Sequence, residues 1–409
     1  MIEMCQGFLA NMNSSSTSSF CHFFEGTEKL LEIWFDKYDD NEADCDLRHI
    51  QSSSTSSFCH FFEGTEKLLE IWFDKYDDNE ADCDLRHIQR KAWDSLLSFV
   101  NCKIISFKRN EHLDAYVLRH WWGRPDLPFA PHTGIRGHSN ESSLFVSKNR
   151  IIIKTCGSTT LLRCLEPLLY LVKQMAGFDE VVDIFYSRKN FMRPELQDDS
   201  HRTFENEVEA LDNLFDDGSA YCMGRMNSDC WYLYTLNSPQ MESKSFKQTP
   251  DQTFEVIMQQ LDPKVMNIFT RAVSASAKEA TQKSGIDKLM PGMTIDDFLF
   301  DPCGYSMNGL IKGGYYVTIH ITPEPHCSYV SFETNAPHNS YPDLVNRLLK
   351  AFAPGKFLMT ICANESSSAY NSQKEFRGVE FAGFDRKELQ VCRFKNYDIT
   401  YGTFAKPNS

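Results

Sequence analysis

Positive charge is the scarcer sign in this 409-residue chain, with 42 Lys and Arg against 56 Asp and Glu. The formal charge of -14 gives a surface that repels phosphate backbones and anionic lipid, so nucleic acid is excluded as a partner and a cationic ligand suits the field. Long apolar runs are missing too. No segment approaches the roughly 18 apolar residues of a membrane span, and the start MIEMCQGFLANMN lacks a basic stretch followed by a sustained apolar one. Fourteen cysteines are present, yet none forms a Cys-x-x-Cys pair or another usual zinc or haem spacing. No metal site is expected, and scattered thiols fit a reducing cytosol. A Walker loop, a G-x-G-x-x-G turn, a G-x-S-x-G elbow and an H-E-x-x-H helix are all absent, which removes the commonest nucleotide, hydrolase and metalloprotease chemistries. What remains is 42% apolar and 13% aromatic, close to the globular average, so disorder, collagen repeats and coiled coil are ruled out for the bulk of the chain.

The strongest internal signal is an exact repeat. SSSTSSFCHFFEGTEKLLEIWFDKYDDNEADCDLRHIQ fills 14–51 and recurs unchanged at 52–89. Solenoids need about three units to bury a core and tolerate drift between them, so two identical copies are a duplicated segment and not an architecture. The Ser-rich head of each copy reads as a linker, and EKLLEIWF (66–73) has the apolar spacing of an amphipathic helix. Segment 119–140, RHWWGRPDLPFAPHTGIRGHSN, has no periodicity and reads as an inserted loop between the strand-like runs 114–118 and 142–156. Helices are expected over 159–175, 254–262 and 341–352, and strands within 221–236, 315–322 and 328–334. Strand-rich segments separated by helices indicate an α+β fold with large, mostly antiparallel sheets.

Chemistry must come from dispersed residues. Ser306 sits in a Gly-flanked turn, and His320 shares a strand face with Thr318 and Thr322, so a hairpin brings hydroxyl and imidazole together. Taken alone, the pair reads first as a turn serine and a satisfied core histidine. Lys154 and Cys156 share one face of RIIIKTC, where a lone cysteine is ordinarily a small buried hydrophobe. In Glu141-Ser142-Ser143 a serine hydroxyl can attack the carbonyl before it, giving an ester that eliminates and hydrolyses to a pyruvoyl group, given a base and an oxyanion stabiliser. Such a ketone forms a Schiff base with an amine and accepts its electrons. As a strand, PDQTFE puts Asp251, Thr253 and Glu255 on one face, and Glu333 and Glu70 are further acids; a solvated acidic face is the plain alternative.

HFFEGTEKLLE, ESSLFVSKNRIIIKTCGSTTLL, YCMGRMNSDCWYLYT, PDQTFEVIM, PCGYSMNG, TIHITPEP and SYVSFETN, in that order, resemble the eukaryotic S-adenosylmethionine decarboxylase proenzymes, the animal branch in particular. The resemblance covers about 58–118 and 141 to about 360. It sets 1–57 outside as an extra N-terminal segment, 58–365 as a domain with the insert 119–140, and 366–409 as a weakly matching end.

The resemblance implies a four-layer αββα sandwich, two sheets flanked by helices, paired as a homodimer of cleaved units. It implies self-cleavage between Glu141 and Ser142, with Ser142 becoming a covalent pyruvoyl cofactor, and pyruvoyl-dependent decarboxylation of S-adenosylmethionine to S-adenosyl 3-(methylsulfanyl)propylamine for spermidine and spermine synthesis. The alternative is an unprocessed paralogue that keeps the fold and a polyamine site. Ser306 and His320 resemble the residues that assist processing, Cys156 the proton donor, and Glu63 and Glu66 the active-site acids. Phe62 and Phe300 resemble an aromatic pair around adenine, and Glu324 a ribose-binding carboxylate; Glu141 is expected at the substrate as well. Asp251, Thr253, Glu255, Glu333, Glu70 and Lys154 resemble a buried site for putrescine as activator. Family members run from the equivalent of Leu118 directly into Leu-Ser-Glu-Ser-Ser; here Asn140 and the insert intervene, and a loop at that point relaxes the backbone that self-cleavage strains.

Overall fold

Short β-branched and aromatic runs bounded by glycine and polar turns form sixteen strands in the computed structural model, which describes residues 63–75, 83–120, 141–236, 249–394 and 396–407. The first eight are β1 (Glu66–Asp74), β2 (Cys102–Arg109), β3 (Asp114–His120), β4 (Glu141–Val146), β5 (Arg150–Cys156), β6 (Glu180–Lys189), β7 (Gly218–Gly224) and β8 (Cys230–Leu236). The second eight are β9 (Gln252–Gln259), β10 (Thr294–Leu299), β11 (Tyr305–Ile311), β12 (Tyr315–Thr322), β13 (Tyr329–Thr334), β14 (Lys356–Asn364), β15 (Asp385–Arg393) and β16 (Tyr397–Ala405). Two antiparallel sheets result. Their orders are β2-β3-β4-β5-β1-β6-β8-β7 and β10-β11-β12-β13-β9-β14-β16-β15, the second being the first with every strand advanced by eight.

Seven α-helices lie among the described residues: α1 (Arg90–Ser98), α2 (Leu165–Met175), α3 (Phe204–Asp212), α4 (Pro263–Met266), α5 (Ala277–Ser284), α6 (Tyr341–Phe352) and α7 (Ser372–Gly378). Helix α6 shows why they form where they do. Ser340 caps it by accepting from Asp343 N at 3.4 Å, Pro342 sits in its first turn, and Leu344, Val345 and Leu348 make its buried stripe. Those side chains pack with Phe254, Val256, Met258, Val317 and Val330 on the outer face of the second sheet. Leu96 and Leu97 of α1 and Leu165, Leu168 and Val172 of α2 do the same with Leu69, Ile71, Leu144 and Ile153 of the first. The inner faces meet through Leu68, Phe145 and Ile152 against Leu310 and Tyr316, and through Met223, Trp231 and Leu233 against Ile257, Leu358 and Ile399. This is the four-layer αββα sandwich.

Two helix expectations are corrected. Residues 66–73 form β1 and residues 254–259 lie in β9, both strands. Each strand has a neighbour on both edges and is buried on both faces, so its apolar residues lose the alternation that marks a strand and match helical spacing as well. Run 142–156 divides at a turn in which Ser147 N donates to Arg150 O at 2.9 Å, giving β4 and β5. Helix α6 matches its expectation, and α2 fills the end of 159–175 after a 3-10 turn at Leu161–Cys164. Strand β3 runs on through Arg119 and His120, two residues into the segment read as a loop; 121–140 and the first repeat copy lie outside the described residues. The second copy supplies β1. The final strands β15 and β16 complete the second sheet.

Candidate active site

Strand β4 crosses the first sheet with Ser143 on its inner face, since Ser143 stands opposite Lys154 of β5 and Val117 of β3. The Ser143 hydroxyl lies 2.8 Å from His320 Nε2, 2.8 Å from Asn308 Oδ1 and 3.3 Å from Thr318 Oγ1. Asn308 is fixed in turn, its Nδ2 donating to Tyr116 O at 3.1 Å. On the other side of the imidazole, Nδ1 meets the Glu66 carboxylate. A carboxylate at Nδ1 sets the tautomer and leaves Nε2 as the basic atom facing β4. Ser306 of β11 stands directly opposite His320 of β12, fully buried, its Oγ without a hydrogen-bond partner. Ser306 and His320 do come together, but Ser306 lies on strand β11 and not in the expected turn, because Tyr305–Ile311 pairs along β12; Ser143, Asn308 and Thr318 join them.

Ser142 does not reach this cluster with its side chain. It stands opposite Leu118 and Thr155, and alternation turns it to the outer face, where its hydroxyl lies against the Cys102 thiol and has no hydrogen bond of ordinary geometry. Residues 141 and 142 both belong to a regular ladder, opposite Arg119 and Leu118. The Glu141 side chain and Phe62 lie outside the described residues. Ser143 escaped sequence reading because nothing in ESSLFV names its partners; the available signal was its shared face with Phe145.

The start of β1 and the end of β5 close the same end of the sandwich. Glu66 is directly opposite Cys156, with Tyr329 donating to Glu66 Oε2 at 3.3 Å and Lys154 at 3.5 Å from it. Burial pushes the Glu66 carboxyl up, but Lys154 and His320 outweigh that and hold it below its ordinary value. Glu63 is held by three donors, the Thr65 hydroxyl at 3.0 Å, Arg193 N at 3.3 Å and Met192 N. Between these acids the backbone runs tight against the second sheet: a Cβ at Gly64 would meet Tyr329 Cβ at 2.7 Å. Phe300, just beyond β10, is buried edge-on to Phe298 at 4.8 Å, and Glu324, two residues past β12, is half-buried.

A second cluster fills the middle of the inter-sheet layer. Glu70, Asp251, Thr253, Glu255 and Glu333 line one cavity with Phe185, Trp231 and Tyr397. Lys154 reaches Glu255 at 2.7 Å and Glu333 at 2.8 Å; burial opposes its charge, yet Glu255, Glu333 and Glu66 outweigh burial and hold the ammonium well above its ordinary range. Arg150, a residue not anticipated from sequence although it shares the face of Lys154 four residues earlier, sits 2.6 Å from Glu70 and 3.2 Å from Asp251, with Trp72 beneath it at 4.5 Å. Both cations rise from β5 and clamp the first sheet to the second. Burial still pushes Glu70 up to about 7. Asp183, also unanticipated, lies near Glu70 and is pushed by burial to about 7, with Thr235 Oγ1 donating to it at 3.1 Å. Among the described residues no His, Cys, Asp and Glu group is arranged to hold a metal ion, and no helix is long and apolar enough to cross a membrane.

Two facing eight-stranded sheets, flanked by helices and joined by buried acids and bases, define the αββα sandwich class. The Trypanosoma brucei AdoMetDC-delta26 monomer shares this fold, with a TM-score of 0.50 at 24% identity over 64% of this chain and 99% of its own. The sequence pattern of adenosylmethionine decarboxylase matches residues 21–58, 59–120 and 139–405. An S-adenosylmethionine decarboxylase proenzyme of Drosophila melanogaster is 47% identical over 94% of this chain and 96% of its own length, and one of Xenopus laevis is 47% identical over 95% and 97%. A Caenorhabditis elegans proenzyme is 40% identical over 95% and 89%. The chain belongs to the adenosylmethionine decarboxylase family.

Proposed function

We propose that this chain cleaves itself between Glu141 and Ser142 and then removes carbon dioxide from S-adenosylmethionine, the aminopropyl product serving spermidine and spermine synthesis in the cytosol. The observation that carries this reading is the buried Glu66–His320 pair pressed against β4 beside Ser142. In cleavage, Ser142 Oγ attacks the Glu141 carbonyl carbon, the peptide C–N bond breaks, and an ester and a free amine result. Removal of the residue 142 α-proton then expels the Glu141 carboxylate, and hydrolysis with loss of ammonia leaves a ketone at 142. Because the Ser142 side chain points outward, the part of residue 142 turned toward His320 is its main chain. This supports His320 as the base of the α-proton step, with Glu66 stabilising the imidazolium that forms. Ser306, buried with an unused hydroxyl, is a donor for developing oxyanion charge.

The residues fit a pyruvoyl group at 142: the buried Ser306 hydroxyl has no hydrogen-bond partner on the facing sheet, and the Cys156 thiol stands on the neighbouring strand β5. That group supplies an electron-withdrawing ketone for the substrate amine. The chain's own part is to place Cys156 as proton donor, to hold Glu63, Glu66 and Glu324 near the cationic substrate, and to offer Phe300, with Phe62, to its aromatic base and sulfonium.

The central cavity supports a diamine activator of the putrescine kind. Its four carboxylates face two backing cations, Lys154 and Arg150, which leaves two formal negative charges for a dication to match. The edge strands β7 and β15 lie at the same border of the two sheets, each pairing with one strand of its own sheet, a border that suits a second copy and supports a homodimer.

The test is a denaturing gel of the purified 47.2 kDa chain. Two bands are expected, with borohydride and substrate trapping an adduct on the larger. Ser142→Ala should give one band, and Cys156→Ala should cleave normally but turn over slowly. A single intact band in the unmutated chain would sink the catalytic reading, and such a chain that still bound putrescine would keep only the fold and the cavity.

A further inference from the structure

The outer face of the first sheet buries a lysine that the mechanism above does not use, Lys67. This side chain is fully buried. Its ammonium donates to Gly157 O at 2.7 Å and to Gln197 Oε1 at 3.4 Å, and it stands over the Phe191 ring at 5.0 Å. No carboxylate among the described residues lies within 4 Å of it. Its charge interacts with Glu207 on α3, Arg188 on β6, His120 on β3 and His201, with Glu63 ahead of β1, and with Cys156, which leaves the end of β5 on the other face. Burial is the main influence and pushes Lys67 down to about 8. A buried cation without an ion pair costs stability, which favours a functional role for it.

The bond to Gly157 indicates that role. Gly157 follows Cys156 directly and turns the chain with φ +64, a conformation that favours glycine. The turn is tied at three points: Gly157 N donates to Thr65 O at 3.2 Å, Thr159 Oγ1 donates to Cys156 O at 2.9 Å, and Lys67 holds Gly157 O. Through Gln197 the same ammonium reaches the segment whose Met192 and Arg193 amides hold Glu63. Lys67 thus joins the turn that carries the thiol to the segment that fixes an active-site acid.

We propose that Lys67 is a positioning residue for Cys156: it fixes the turn that carries the thiol and keeps a positive charge beside it, so that the thiolate left after proton delivery is stabilised. In that step the S–H bond breaks, the proton goes to the substrate carbon from which carbon dioxide has left, and sulfur keeps the electron pair until solvent returns a proton. The inference rests on the reading of Cys156 as proton donor.

Iodoacetamide alkylation of Cys156, followed by mass spectrometry from about pH 6 to about pH 10, tests the charge without turnover when done on the uncleaved Ser142→Ala protein. Lys67→Met should raise the midpoint by about one unit, so alkylation at about pH 7.5 slows roughly tenfold, whereas Lys67→Arg should stay near the unmutated value. In the processed protein Lys67→Met should lower kcat about tenfold with KM changed less than about twofold, as expected when an interaction made only in the transition state is lost. An unchanged midpoint in Lys67→Met, or an equal shift in Lys67→Arg, overturns the proposal. Lys67→Gln retains a donor for Gly157 O and isolates the charge if Lys67→Met does not fold; an unchanged midpoint there overturns it equally. Should Cys156→Ala keep full turnover, the proton-donor reading falls, while alkylation still judges the field that Lys67 exerts.

Discussion

The two sheets follow one strand order, yet they divide the chemistry. In the first, β4 and β5 carry Ser142, the Cys156 thiol and both clamping cations; in the second, the corresponding β12 and β13 carry His320 and Glu333, an imidazole and a carboxylate. The outer layers differ as well. Beneath α6 and α7 the second sheet is covered by Phe254, Val256, Val317 and similar apolar residues, whereas the first buries Lys67, Arg188, Glu207 and His201 on its outer side. A common topology has been filled once as a scaffold that presents bases and acids inward, and once as a sheet that buries polar groups on both faces among its apolar core. The lesson is that the layout of strands sets where groups can meet, while the residues on each strand face decide what they do.

The sharpest way to break this division is His320→Ala, which removes the second sheet's base from the first sheet's strand. Cleavage, timed by appearance of the two bands, should slow about 10²- to 10⁴-fold. A normal rate would reduce the second sheet to support. Next comes the clamp. Lys154→Met strands Glu255 and Glu333 without their shared cation and should cost about 3–5 kcal/mol in denaturant unfolding, and adding Glu255→Gln and Glu333→Gln should recover most of it. An equal loss in single and triple variants would argue against a cross-sheet charge clamp.

The smallest of the three concerns Asp183. Its pKa rises from 3.8 to about 7 on folding, so its contribution favours the folded state at low pH and is lost as pH climbs through about 7. Asp183→Asn keeps an acceptor for the Ile184 and Leu236 amides and should therefore raise stability at about pH 8 by on the order of 2 kcal/mol, with the gain fading toward about pH 4. Melting curves at both pH values check the sign.

How much of this was legible follows from where the constraints lie. Alternation alone puts Asp251, Thr253 and Glu255 on one face and His320 with Thr318, and apolar spacing marked 341–352 as a helix. The strands at 66–74 and 254–259 were misread for one reason that the topology exposes: β1 and β9 occupy the same position in their sheets, each flanked on both edges, where burial on two faces hides the period of two. Ser143, Arg150, Lys67 and Asp183 were missed because their partners lie across the sheets or in distant segments, separated by 177 residues between Ser143 and His320 and by 101 between Arg150 and Asp251.

Strand order also governs what becomes of the pieces. A break between 141 and 142 leaves β1, β2 and β3 on the smaller fragment, yet β1 lies between β5 and β6 of the larger, and β3 lies beside β4. Severed in covalent terms, the two polypeptides stay woven together, and parting them would require tearing open the middle of a sheet. Maturation of such a molecule changes its ends and leaves its body intact, so a size measured without denaturant should not register that it was ever cut.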